Sequence, residues 1–165
     1  MIIGNDRPMA NGMRRSPHYV LTEEDIAVLK AEAESIGVPI EALRFNEGDF
    51  TGFSDFRRFI YIKGNVFPDL QYGANNPIDT MTSRAVLAHE YYGHVKMYPS
   101  PYQAGSWEDE FWAHKNAAVN TPNLTEEERE SLILAAEEHM RKGNLSFSEY
   151  KEMRRVLDDA RANFY

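Results

Sequence analysis

The stretch His89-Glu90-Tyr91-Tyr92-Gly93-His94 constrains this chain more than any other. It lies inside a helix-forming run over 82–97 that Pro99 and Pro101 bring to an end. Two histidines with a glutamate beside the first are residue types that bind a metal ion and move a proton. On a regular helix, residues three or four apart share a face. His89 and His94 are five apart, which on an ideal helix turns them roughly 140° away from each other. One metal shared by both therefore requires the helix to absorb an extra residue, as a single π-type turn does. Gly93, next to the second histidine, lowers the steric cost of that distortion. On a helix that stays regular, Glu90 and His94 are an i,i+4 pair that need only meet each other.

Composition narrows the chemistry. The 165 residues include no cysteine, so any zinc must be held by histidine and carboxylate. The net charge of −8 argues against nucleic acid or an anionic membrane as the main partner. No apolar run is long enough to span a bilayer. The N-terminus lacks an apolar core followed by a cleavage site, so secretion or delivery into a target cell would depend on sequence outside this chain. The length suits one domain over 1–165, large enough to bury a core without crosslinks.

Taken in order, residues 1–19 are rich in Gly, Asn, Pro, Arg and Met and read as an irregular lead or linker. A helix is predicted over 22–36, capped by Thr22, acidic in its first turn, with Ile26, Leu29, Ala33 and Ile36 on its apolar face. From 43 to 69 the chain turns to Phe, Ile, Tyr and Val punctuated by glycine. Residues 58–63 make the best strand and 43–45 a weaker one, with 65–67 able to pair back through a turn at Lys63-Gly64. A loop over 68–80 carries Gly73 and Asn76-Pro77, and the central helix follows. Three capping-box patterns then open three helices: Ser106 with Asp109, Thr125 with Glu128, and Ser146 with Glu149. The last two helices carry apolar stripes (Leu132, Leu134, Ala135, Met140; Phe147, Tyr150, Met153, Val156, Leu157) that read as core. The expected fold class is α+β, with a small, mainly antiparallel sheet and about five helices.

A hydrolytic zinc site needs three protein ligands, an open position for water and a carboxylate beside that water as general base. His89 and His94 supply two ligands, and Glu90 is the base candidate. The helix opened by Ser106 offers three acids for the third place. Asp109 already has a capping role and Glu108 a first-turn dipole role. Glu110 shares a face with Ala113, His114 and Ala117, whose small side chains let another helix come close, so Glu110 is the expected third ligand. His114, one turn on, is a candidate to stabilise an oxyanion or to orient a ligand, beside the plainer role of a histidine at the core edge. Tyr91, Tyr92, Tyr98 and Tyr102 cluster nearby as possible phenol donors. His139 reads as a surface residue and His18 is given no role.

On these residues the chain resembles a known family. The run Ala85-Val86-Leu87-Ala88-His89-Glu90-Tyr91-Tyr92-Gly93-His94, the stretch from Trp107 through Ala118, and Asn120-Thr121-Pro122-Asn123-Leu124 resemble the zincin-like metallopeptidase toxin domains that end bacterial polymorphic toxins. The six-residue core is also similar to the H-E-x-x-G-H motif of dipeptidyl peptidase III, one residue longer than the usual H-E-x-x-H. The resemblance implies a zincin-like fold, Zn2+ held by His89, His94 and Glu110, and water activated by Glu90. It further implies a protein or peptide substrate, a bacterial effector role and a cognate immunity protein as partner. Thermolysin-like enzymes place an aspartate one turn after the third ligand, where this chain has His114. The strand over 58–63 is a candidate to line the cleft and hold an extended peptide by strand addition, beside the plainer reading of a core strand. Two other readings stay open: a zinc hydrolase acting on a non-peptide bond, and a non-catalytic zincin-like binding module.

Overall fold

The computed structural model describes residues 14–54, 58–69 and 76–164. The lead up to residue 13 and the part of the predicted loop around Gly73 lie outside the described residues. Within them the fold is α+β. Six helices, α1 (Glu23–Ser35), α2 (Pro77–Thr80), α3 (Ser83–Ala88), α4 (Trp107–Asn120), α5 (Glu126–Arg141) and α6 (Phe147–Ala162), accompany a three-stranded sheet. None of the described helices is long and apolar enough to cross a membrane.

The helix starts follow their caps. Thr22, Thr125 and Ser146 each accept from the backbone N–H three residues on, and Asp25, Glu128 and Glu149 reach back to complete the box. Each such cap is worth about 1 kcal/mol. The box at Ser106 is only half made. Ser106 accepts from the Asp109 N–H, but the Asp109 carboxylate accepts from the Gly105 N–H instead of closing on Ser106. The segment Asn76-Pro77 is a helix start, with Asn76 capping α2 and Pro77 in its first turn.

The sheet departs from the antiparallel expectation. Strands β1 (Leu43–Phe45), β2 (Gly52–Phe53) and β3 (Ile60–Ile62) lie in the order β1-β3-β2. β3 runs parallel to β1 and antiparallel to β2, so the sheet is mixed. The predicted hairpin return over 65–67 is instead a 3-10 turn over Gly64–Val66. A side chain on Gly64 would run into the Ser16 carbonyl 2.3 Å away, so the lead packs directly on this turn.

The core joins Leu29, Ala33 and Ile36 of α1, Ile60 and Ile62 of β3, Leu87 of α3, Phe111 and Ala117 of α4, Leu132, Ile133 and Met140 of α5, and Leu157 of α6. Each fully buried Leu or Ile stabilises the fold by about 1.5–3 kcal/mol. The predicted stripes overreach at their edges: Leu134, Phe147 and Tyr150 are exposed, because α5 and α6 meet along a narrower seam than the apolar residues could cover.

Arg14 ties the end of the irregular lead into the fold. Its buried guanidinium donates to the carbonyls of Asn65 (2.8 Å), Val66 (2.6 Å), Ile78 (3.2 Å), Asp79 (3.0 Å) and Met81 (3.0 Å). One side chain thereby ties the 3-10 turn after the sheet to the entry of the central helix. Burial lowers its pKa to about 10, with Asp79 opposing the shift, so it stays charged at neutral pH. Arg14→Ala leaves these buried carbonyls without their shared donor and is expected to cost about 3 kcal/mol or more in urea unfolding. Arg14→Lys should recover only part, since an ammonium lacks the planar fork. A loss below about 1 kcal/mol for Arg14→Ala would show that the staple does not hold these segments together.

Candidate metal centre

The central helix changes pitch at the first histidine. α3 passes without a break into a π-helical segment over His89–Val95, in which the Lys96 N–H reaches the Tyr91 carbonyl five residues back at 2.8 Å. Five residues then make about one turn, and both histidines come to the same side. Their ring centroids lie 4.7 Å apart.

Gly93 has a stronger reason to be glycine than easing this distortion. A Cβ there would sit 2.4 Å from the Ala113 carbonyl oxygen of α4. The two helices touch backbone to backbone, with Ala113 and Ala117 buried as the small-residue face predicts. Alanine is favoured over glycine in a helix by only about 1 kcal/mol, too little to offset a contact that must push α4 away.

That approach brings Glu110 onto the histidines. Its carboxylate oxygens lie 3.1 Å from His89 Nε2 and 3.3 Å from His94 Nε2. Ligand atoms held tetrahedrally at the usual zinc distances stand roughly 3.3 Å apart, so these separations fit one ion with little movement. The three residues thus form a group able to hold a metal ion. Glu90 is buried, with its carboxylate 3.8 Å from His89 Nε2, beside the group rather than in it.

Buried charge of both signs sets the electrostatics. Burial raises the Glu90 pKa, and His89 and His94 only partly offset it. Burial also works against the charged forms of His94 and Glu110, but their attraction prevails. His94 rises to about 10 and Glu110 falls well below the usual carboxylate range. Burial, reinforced by His89 and His139, holds His114 well below the usual imidazole value, so it is neutral at pH 7.

The surrounding groups fill in what the sequence reading left open, and the places of Asp109 and His139 depart from it. Asp109 does more than hold the helix start: its Oδ2, which accepts from the Gly105 N–H, also lies 3.9 Å from His94 Nδ1, where its charge can steer the ring. His114 stacks on His89 with centroids 3.8 Å apart, while its Nδ1 lies 2.7 Å from the Glu110 carbonyl oxygen. It therefore does not replace the missing aspartate, and His89 Nδ1 has no hydrogen-bond partner among the described residues. His139 is no surface residue; it is buried and stacks on His114 at 5.0 Å. Its place was legible, since His139 falls at helical spacing with Leu132, Ala135, Ala136 and Met140. Among the tyrosines, Tyr92 donates to the Ile36 carbonyl at 2.7 Å, which anchors it to the end of α1.

The site opens into a cavity of about 520 Å³ whose lining includes His89, Glu90, His94, Glu110, His114 and Phe53. A second cavity of about 470 Å³, lined by Tyr98, Tyr102 and Trp112, meets it at Phe53, His94 and Asp109. The strand bordering both is β2, at the sheet edge, and not 58–63, which holds the centre of the sheet as β3. Phe53 of β2 lies parallel to the His94 ring, 6.0 Å away. Comparison of the chain with protein-family models, curated proteins and solved structures finds no match.

Two outcomes follow. In chelator competition for zinc, Glu110→Ala should lose affinity most, Asp109→Ala about 10- to 100-fold as an outer partner, and Glu108→Ala little. An Asp109→Ala loss equal to that of Glu110→Ala would make both carboxylates ligands. In chelator-stripped protein, the His94 pKa is raised from 6.5 to about 10, so its stabilisation is complete below pH 6.5 and is lost as pH rises through 10. The melting temperature in excess chelator should therefore fall between pH 7 and 10, and His94→Gln should flatten that fall. Equal slopes for both proteins would remove His94 as the cause.

Proposed function

We propose that this chain is a zinc-dependent metallopeptidase of zincin-like type, acting as a bacterial effector domain on a protein or peptide substrate. The observation that carries the reading is the convergence of His89, His94 and Glu110 at the floor of a cavity, with Glu90 beside them. The donor set, two imidazoles and a carboxylate with no thiolate, is one that hydrolytic zinc sites use.

Zinc, when bound there, supplies Lewis acidity that makes water a nucleophile near neutral pH. Each side chain has a separable task. His89, His94 and Glu110 would hold the ion. Asp109 steers His94 from behind, and the stacked His114 fixes the plane of His89. Glu90 accepts a proton from the attacking water and returns it to the departing amine. Its burial supports that exchange, because a carboxylate with a raised pKa lies closer to the working pH. The edge strand β2 offers a place where an extended peptide can add as a further strand, across the junction of the two cavities. The effector role, delivery by a larger protein and a cognate immunity partner rest on the resemblance of the stretches around His89 and Trp107 to polymorphic toxin domains.

Glu90→Gln tests the base without disturbing the ligands. The purified protein should cleave members of a mixed peptide library, stop with a zinc chelator and recover with added zinc. Glu90→Gln should keep its zinc and fold while losing about 10²- to 10⁴-fold in rate. Undiminished cleavage by Glu90→Gln would sink the mechanism, and a library left intact by zinc-loaded wild type would sink the peptidase reading.

A further inference from the structure

His114 and His139 do more than pack beside the site. With His89 they form a buried column of rings, spaced 3.8 Å and 5.0 Å between centroids. A nitrogen of His114, one of His139 and a carboxylate oxygen of Glu110 all lie within 4.8 Å of one another. Tetrahedral ligands of one ion stand roughly 3.3 Å apart, so side-chain movements of up to about 1.5 Å close this group on an ion. His114 has the tautomer of a ligand. Its Nδ1 is 2.7 Å from the Glu110 carbonyl oxygen, which can only accept. The hydrogen therefore sits on Nδ1, and Nε2 keeps its lone pair, the usual state of a metal-ligating histidine. His139 belongs to the last turn of α5, where the helix dipole favours a cation. Both histidines line the same cavity as His89 and Glu90, so an ion reaches them by the same route.

We propose that Glu110, His114 and His139 hold a second divalent cation beside the first, with the Glu110 carboxylate shared between the two. The proposal rests on His89, His94 and Glu110 being a metal centre. Imidazole and carboxylate donors suit zinc, cobalt or manganese. A paired site of this kind, with ions about 3.5–4 Å apart, stabilises both the attacking and the leaving group of a hydrolysis. Lys142 at the cavity rim is exposed, so solvent screens its charge from the second position.

The experiment is a titration of the chelator-stripped full chain with Co2+, followed by calorimetry, visible absorption and electron paramagnetic resonance, with zinc as a second probe. Wild type should take up two equivalents, the second weakening the resonance signal per cobalt through coupling between neighbouring ions. His139→Ala and the milder His139→Gln should bind one equivalent, with the tighter affinity unchanged and circular dichroism like wild type. A single equivalent in wild type, removed by His89→Ala and untouched by His139→Gln, would overturn the second site and leave the first standing. Two equivalents that survive both His114→Gln and His139→Gln would place the second ion elsewhere and also overturn it. No uptake by wild type would remove both readings together.

Discussion

The backbone contact between Gly93 and Ala113 is the constraint on which the rest of the site depends. Glu110 reaches the histidines only because α4 lies against the π segment with no side chain between them. A methyl group at residue 93 would hold the helices apart, and a shift of about 1 Å is enough to spoil a preorganised site. The same contact explains why the face of α4 turned to the π segment has to be small there and acidic one turn earlier, at Glu110. The small residues set the distance, and the acid uses it.

Around this contact the fold concentrates charge that would be costly in an ordinary core. Glu90 and Asp109 are buried, Glu110 is partly so, and the adjacent imidazoles are largely shielded from water. The attraction between His94 and Glu110 overcomes their burial, whereas the pull of His89 and His94 on Glu90 only partly offsets its burial and leaves it pushed toward its neutral form. Most of the stability comes from the apolar seam of α1, α3, α4, α5 and α6, and from the Arg14 staple that joins the sheet side to the start of the central helix.

Some of the architecture was local enough to be written in short patterns. The capping boxes at Thr22, Thr125 and Ser146 are satisfied within four residues of chain, so they hold in any tertiary setting. A metal shared by His89 and His94 would demand a widened turn, and the turn is there. Strand register was less legible. β2 is two residues long, and its pairing with β3 is decided by the sheet rather than by its own composition.

The sequence by itself determined five of the six helices, most of their caps, the donor types available to a metal, and the wide turn that a metal shared by two histidines five apart would require. These follow from local backbone geometry and from chemistry carried by single residues. Tertiary structure alone decided which neighbours those residues meet. It set Asp109 behind His94 as well as at the start of its own helix, drew His139 from an acidic helix into a stack with His114, and set Arg14 among carbonyls from two distant segments. The reason is physical: a cap is closed within one turn of chain, but a buried polar side chain is placed by whichever distant backbone or ring satisfies it, and that partner exists only once the helices have packed.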